Sequence, residues 1–258
     1  MRIVVKVGTS TLAHATGRLN IRHVEELVKV LSDLKNAGHE IILVSSGAIG
    51  MGVGKLNLAG RPADMPTKQA AAAVGQCELM YTYDRLFTKY NHTVAQILLT
   101  GEDVDHQDRR QNFENTMVRL LELGALPIIN ENDTVATAEI KVGDNDTLGA
   151  IVACSLGADL LVLLSDIQGL YTADPRQDAG ARMLSVVEEV TPEIEALAGG
   201  KGSELAVGGM ATKLRAAKMV TARGCDMVIA SGEHAECLYD IVEGRPVGTR
   251  FLGARGKT

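Results

Sequence analysis

The stretch Leu160-Leu161-Val162-Leu163-Leu164, followed by Ser165 and Asp166, decides the fold. Five apolar residues in a row are far short of the roughly 20 that a membrane span needs. They predict a strand that is buried on both faces, which is typical of a parallel sheet covered by helices on both sides. We therefore predict an α/β protein whose mainly parallel central sheet lies between two layers of helices.

Predicted strands and helices alternate on both sides of this strand in the sequence. Short β-branched runs predict further strands at 3–7, 41–44, 94–99, 126–129 and 227–230. Apolar spacing and stop signals predict helices from Ile21 to about Leu34 before Gly38, from Pro66 to about Lys89, and over 112–123, 147–156 and 209–223. A hairpin is predicted over 169–187, because Asp174-Pro175 is a turn signal. We expect one continuous domain, 1–258, with functional halves at about 1–160 and 161–258.

Composition excludes several classes of protein. The net charge of -6 argues against a body that binds nucleic acid. Four widely spaced cysteines and six histidines without metal-ligand spacing predict neither a disulfide framework nor a metal site. A lysine interrupts the apolar N-terminus too early for a secretory signal. We expect a cytoplasmic protein that does not enter membranes.

Small or polar residues follow five predicted strands or open the next helix. Ligands on open parallel sheets bind at the carboxyl ends of strands, so five such ends together predict a site. The segments are Lys6-Val7-Gly8-Thr9-Ser10, Ser45-Ser46-Gly47, Asn130-Glu131-Asn132-Asp133, Gly143-Asp144-Asn145-Asp146 and Ser165-Asp166.

Lys6 lies late in an apolar strand, where a buried ammonium group is costly without an anionic partner. One interpretation is that it extends out of the sheet end into solvent. The other is a cation directed at phosphate oxygens, with the backbone N–H groups of Gly8 and Gly47 beside it.

The run Gly208-Gly209-Met210-Ala211-Thr212-Lys213 lacks the order of a Walker A motif. Two glycines open a helix that reaches Lys213 one turn later, and this start is either an anion cradle or an ordinary helix start. Similarly, the aspartates before the helix at 147–156 are either a solvated helix N-terminus or part of the site. We assign Asp146 to holding the two lysines and Asn145 to a hydrogen bond with the substrate.

Six segments together resemble the glutamate 5-kinases, a group within the amino-acid kinase family. They are 6–10 (Lys-Val-Gly-Thr-Ser), 45–49 (Ser-Ser-Gly-Ala-Ile), 129–133 (Ile-Asn-Glu-Asn-Asp), 138–146, 169–176 and 208–213. The resemblance runs from the first strand to about Phe251. Many bacterial members carry a C-terminal PUA domain, and we expect this chain, which stops at Thr258, to lack it.

The resemblance implies an α/β/α sandwich and ATP-dependent phosphorylation of the γ-carboxylate of L-glutamate, the first step of proline biosynthesis. It implies Lys6, Asp146 and Lys213 as the catalytic set, and magnesium bound through the nucleotide phosphates rather than by a protein metal site. The implied glutamate-binding residues are Ser46, Gly47, Asp133 and Asn145. The implied ATP-binding residues are Lys6, Gly8, Ser165, Asp166, Val207, Gly208, Gly209, Met210, Ala211, Thr212 and Lys213.

The substrate itself constrains the mechanism. A γ-carboxylate has an ordinary pKa near 4.3, so it is already an anion at neutral pH and needs no general base. Catalysis then depends on aligning two anions that repel each other.

Other functions remain open at this point. The chain is alternatively a related kinase acting on acetylglutamate or aspartate, or a sensor that binds proline or glutamate without turnover. An RNA-associated module is disfavoured by the acidic charge. From the resemblance we also expect feedback inhibition by proline and a homodimer or homotetramer.

Overall fold

A computed structural model describes residues 1–14, 18–135, 144–175, 178, 180–198 and 209–254. These residues form an eight-stranded sheet in the order β3-β4-β2-β1-β5-β7-β8-β6. Every pairing among them is parallel except that of β7 with β8. The strands are β1 (Arg2–Val7), β2 (Glu40–Ser45), β3 (Val94–Leu99), β4 (Leu126–Glu131), β5 (Leu160–Ser165), β6 (Val186–Val187), β7 (Asp226–Ser231) and β8 (Thr249–Phe251).

Strand β5 is buried along its whole length, which confirms the prediction made from its apolar sequence. It pairs with β1 on one side and with β7 on the other. The alternation along the strand separates two cores, with Leu161 and Leu163 in one and Leu160, Val162 and Leu164 in the other. Both faces of the sheet are therefore covered.

Helices form the two outer layers. One core contains side chains of α2, α4 and α10, and the other contains side chains of α6, α7 and α9. This arrangement is the predicted three-layer α/β/α sandwich. The helices are α1 (Thr9–Leu12), α2 (Ile21–Asn36), α3 (Ala48–Lys55), α4 (Met65–Thr88), α5 (Gly101–Asp105), α6 (Gln107–Glu122), α7 (Asn145–Ser155), α8 (Pro192–Leu197), α9 (Gly209–Thr221) and α10 (Cys237–Val242). Within the described residues, no helix has the length and apolarity that crossing a membrane requires.

In helix α2, the apolar pattern predicted the buried residues correctly except at the first position. Val24, Leu27, Leu31 and Leu34 are buried as predicted, whereas Ile21 is 60% exposed. Ile21 is the first residue of the helix, directly after the N-cap Asn20, and the first buried position comes one turn later. The prediction that Ile21 shares the buried face is therefore wrong.

Helix α3 was not predicted, because three of its eight residues are glycines. Its packing against α4 explains it. A Cβ atom on Gly52 would lie 1.8 Å from the carbonyl oxygen of Ala71, and one on Gly75 would lie 1.7 Å from that of Ala48. The two backbones meet at distances that only glycine allows, so tertiary packing outweighs the poor helix propensity.

The hairpin predicted over 169–187 is only partly present. Among the described residues of this segment, one antiparallel bridge joins Tyr171 to Met183, and β6 pairs with β8. The correction has a physical reason, since β6 finds its partner in the sheet edge formed by β8. The first part of the segment is then left to line a cavity beside β5.

Candidate active site

Lys6, Asp146 and Lys213 form a buried cluster at the carboxyl ends of the strands. The Nζ atom of Lys6 lies 2.7 Å from Oδ1 of Asp146, and Nζ of Lys213 lies 2.8 Å from Oδ2. The three residues are 8%, 3% and 6% exposed, so the interpretation of Lys6 as a residue that extends into solvent is wrong. We call these three residues the lysine–aspartate cluster.

The local fold places each member of this cluster. Lys6 faces α7 from the centre of the sheet, where a Cβ atom on Gly149 would lie 3.5 Å from its Cβ. Asp146 stands in the first turn of α7, whose N-cap Asp144 accepts hydrogen bonds from the backbone N–H and the hydroxyl of Thr147. Because Asp144 caps the helix, Asp146 is left to face the lysines.

The electrostatics of Asp146 follow from this geometry. Burial by itself would raise the pKa of the Asp146 carboxyl, but the charges of Lys6 and Lys213 and their hydrogen bonds outweigh it and hold the pKa below its ordinary value. The hydroxyl of Thr212 also donates to Oδ2 of Asp146, at 3.1 Å. The carboxylate is therefore ionised at neutral pH and holds both ammonium groups in place.

A second group of polar side chains lies next to the cluster. The amide nitrogen of Asn145 donates to Oγ of Ser46 at 2.6 Å and to Oδ1 of Asn130 at 3.2 Å. Gly47 adopts a left-handed conformation with φ of 106°, which favours glycine, and it is the N-cap of α3. Asp133 is half-buried in the turn after β4. The structure thus brings Ser46 and Asn145 into contact and places Gly47 directly after Ser46.

A cavity of about 440 Å³ opens beside β5, within the range of small-molecule sites. Five of the residues that line it belong to the predicted nucleotide site: Ser165, Asp166, Gly209, Met210 and Lys213. Lys213 thus lies in both the cavity wall and the lysine–aspartate cluster. The cavity and the cluster are parts of one site.

The remaining predicted nucleotide-site residues have different positions. Val207 and Gly208 lie outside the described residues. Thr212 contacts Asp146 instead of the cavity, and Ala211 is exposed beside it on α9. A Cβ atom on Gly8 would lie 3.7 Å from Nζ of Lys6, so the backbone of Gly8 runs close to that ammonium group.

Other lining residues were not predicted as part of the site. They are Ile167 to Pro175, apart from Thr172, with Leu197 and Ala198 at the end of α8. The available signal was that 167–175 directly follows the carboxyl end of β5 and contains a turn motif. Helix α8 carried no such signal, because only its tertiary position brings it to the cavity.

The described residues contain no group of three histidine, cysteine, aspartate or glutamate side chains placed to hold a metal ion. A Mg²⁺ ion bound to nucleotide phosphates and water requires no such group.

Comparison with known proteins places this geometry in context. The profile of the amino acid kinase family matches residues 1–231. A glutamate 5-kinase of Clostridium tetani is 54% identical over 249 residues, covering 96% of this chain and 93% of the relative. One of Clostridium perfringens is 50% identical over 260 residues, covering 99% and 97%. Among solved structures, carbamate kinase from Giardia lamblia bound to AMP-PNP has a TM-score of 0.70 at 18% identity, with 97% and 98% of the two chains covered.

Proposed function

Because this chain belongs to the amino acid kinase family, in the group of the glutamate 5-kinases, we propose that it transfers the γ-phosphoryl group of ATP to the γ-carboxylate of L-glutamate. The product is γ-glutamyl phosphate, and the reaction opens proline biosynthesis. ATP enters with Mg²⁺, which neutralises charge on the phosphates when it is bound.

One observation carries the proposal: two lysines distant in sequence meet at one buried carboxylate, next to the hydrogen-bonded side chains of Ser46 and Asn145 and to a cavity of about 440 Å³. The lysines contribute two positive charges and Asp146 one negative charge, so the cluster has a net charge of one positive. A cationic cluster at the junction of two ligand sites suits the transfer of an anionic group between them.

The proposed mechanism assigns separate binding and catalytic roles to these residues. Ser46, Gly47, Asp133 and Asn145 bind glutamate, and the cavity beside β5 binds the nucleotide together with 207–213. Lys6 and Lys213 stabilise negative charge on the phosphoryl group as it moves, while Asp146 keeps the two ammonium groups in position. No side chain needs to remove a proton, since the attacking carboxylate is already ionised.

Trapping the product tests this proposal. Hydroxylamine converts an acyl phosphate into a hydroxamate that is easily detected, so the purified chain with MgATP and L-glutamate should form γ-glutamyl hydroxamate. The same assay with acetylglutamate and aspartate separates the related kinase activities, and turnover of either without turnover of glutamate would overturn the proposal. Binding of glutamate without any hydroxamate would indicate a sensor instead.

Four finer properties are also part of the proposal. We propose that the chain acts in the cytoplasm, forms a homodimer or homotetramer, and is inhibited by proline. We also propose that residues 1–258 form one domain, with an amino-acid half at about 1–160 and a nucleotide half at about 161–258. Light scattering tests the assembly, and the hydroxamate assay with added proline tests the inhibition.

A further inference from the structure

Gln76, in the middle of α4, is a buried polar residue to which the proposed mechanism gives no role. Gln76 is only 8% exposed. Its Oε1 atom accepts a hydrogen bond of 2.9 Å from the amide nitrogen of Asn130. Buried amides need partners of the right polarity. The partner here lies at the end of β4, beside the proposed glutamate site.

The backbone N–H of Glu131 and the side chain of Gln76 together favour one orientation of the Asn130 amide. The backbone N–H of Glu131 donates to Oδ1 of Asn130 at 2.9 Å. A backbone N–H can only donate, so the oxygen of the amide must face it and the nitrogen must face Gln76. Gln76 offers an acceptor at that place, which stabilises this orientation over the reversed one.

The orientation of Asn130 determines in turn which hydrogen-bond donors and acceptors Asn145 and Ser46 offer to a ligand. Asn145 donates one hydrogen to Oδ1 of Asn130 and the other to Oγ of Ser46. Both hydrogens of this amide are then used, and its Oδ1 atom is the acceptor it offers a ligand. Ser46 already accepts through Oγ, so its hydroxyl hydrogen is available for an acceptor on the ligand.

We propose that Gln76 is a positioning residue that sets the donor and acceptor polarity of the glutamate site, and this inference rests on the proposed function. The oxygen of Asn145 accepts from the α-ammonium group of the substrate, and the hydroxyl of Ser46 donates to a carboxylate. Gln76 thereby makes the site select an α-amino acid over a plain dicarboxylate of the same length, although it contacts neither ligand.

The test compares L-glutamate with glutarate, which lacks the α-ammonium group. Hydroxamate formation gives kcat/KM for both acids in the wild type and in Gln76→Met, which removes the acceptor but keeps the length of the side chain. We expect the wild type to prefer glutamate by at least about 100-fold. In Gln76→Met the preference should fall by about tenfold or more, with KM for ATP changed less than about twofold.

Two further variants and one substitute variant complete the design. Gln76→Glu keeps an acceptor oxygen and should retain the preference to within about threefold. Thr82→Val is the matched control, because Thr82 is a buried polar residue of the same helix whose hydroxyl donates to the carbonyl of Glu78, away from the site. It should leave the preference unchanged. Gln76→Asn, which is too short to reach Asn130, replaces Gln76→Met if that variant does not fold.

The outcomes distinguish this inference from the proposed function. A purely structural role for Gln76 would lower kcat/KM for glutamate and glutarate equally, and that result would overturn the inference. If the wild type forms no glutamyl hydroxamate at all, the proposed function fails first. Wild-type turnover combined with an unchanged preference in Gln76→Met counts against the positioning role alone.

Discussion

Asp146 has the most constrained surroundings in the site. Its carboxylate is buried and contacts two ammonium groups, one from β1 and one from α9. Burying charges is costly unless they are paired, and removing one partner of such a group costs more than the intact group contributes. Substitutions within the lysine–aspartate cluster should therefore change kcat and the free energy of unfolding to different extents.

Replacing Lys213 by methionine tests the catalytic side of the lysine–aspartate cluster. Lys213→Met keeps the apolar stem and removes the charge that stabilises the transferring phosphoryl group, so kcat should fall by at least about 100-fold. Asp146 would still pair with Lys6, and the fold should persist in circular dichroism. Lys218→Met is the control, since Lys218 is an exposed residue of the same helix that pairs with Glu195, and its kcat should stay within about twofold of wild type. Near wild-type turnover in Lys213→Met would contradict the assigned role.

Replacing Asp146 by asparagine tests how much the ionised carboxylate of the lysine–aspartate cluster contributes to stability. Because the folded-state pKa of Asp146 lies below its ordinary value of 3.8, the carboxylate stabilises the fold fully above the unfolded-state pKa, and this contribution is lost as pH falls through the folded-state pKa. Asp146→Asn should lower the free energy of unfolding by about 3 kcal/mol at pH 7. Urea titrations should show the same difference at pH 5 and a smaller one below about pH 3.5.

The matched control for that titration is Asp105→Asn, at an exposed aspartate. Its free energy of unfolding should differ from wild type by less than about 0.5 kcal/mol at each pH. A difference between Asp146→Asn and wild type that grows as the pH falls has the opposite sign to that expected and would contradict the ion-paired state of Asp146.

Among the elements, α4 supports the amino-acid part of the proposed site through contacts with β4 and β2. Gly75 allows its backbone to approach α3, and the next residue, Gln76, reaches Asn130. Two turns later, the hydroxyl of the fully buried Tyr83 lies 2.9 Å from Oγ of Ser45, beside Ser46. Helix α4 thus supports two strand ends that lead into the proposed glutamate-binding residues.

The close approach of α3 and α4 leads to a prediction about stability. A methyl group at position 75 would lie on the carbonyl oxygen of Ala48, a backbone atom that cannot move aside without shifting α3. Gly75→Ala should therefore lower the free energy of unfolding by about 1–3 kcal/mol, in spite of the better helix propensity of alanine. Gly60→Ala, where an added Cβ meets no atom within 4 Å, should change it by less than about 0.5 kcal/mol. Urea unfolding of both variants checks this, and equal midpoints would contradict the steric account.

The elements also show which parts of the fold and of the candidate site could be predicted from the sequence alone. Strand β3 was predicted at 94–99, where the structure has it, because alternating turn signals and apolar residues mark a strand locally. Helix α3 was missed because its stability depends on α4, and α8 and α10 are six residues each, too short for an apolar period to be visible. The positions of Lys6, Asp146 and Lys213 relative to one another were predictable because all three stand at strand ends or helix starts of one sheet edge. The place of 167–175 in the cavity wall was only partly indicated by its position after β5, since it also depends on how β6 pairs.

At the scale of the whole molecule, the sheet itself joins the two proposed halves. Strands β1 and β5 pair over five residue positions, so the strand that carries Lys6 is bonded directly to the strand that ends at the proposed nucleotide cavity. The lysine–aspartate cluster adds a second connection, because Asp146 on α7 contacts Lys213 on α9. A ligand that binds either half should therefore stabilise the other.

This continuity leads to a prediction about ligand-linked unfolding. Saturating MgATP alone or L-glutamate alone, each at about 100 times its dissociation constant, should add about 2.7 kcal/mol to the free energy of unfolding. In calorimetry each ligand should shift a single transition upward by about 5–10 °C. Lys213→Met should lose most of the shift with MgATP and keep the shift with glutamate, since Lys213 lines the cavity that we propose for the nucleotide. Two transitions, of which MgATP moves only one, would mean that the halves unfold separately and that the shared sheet does not couple them.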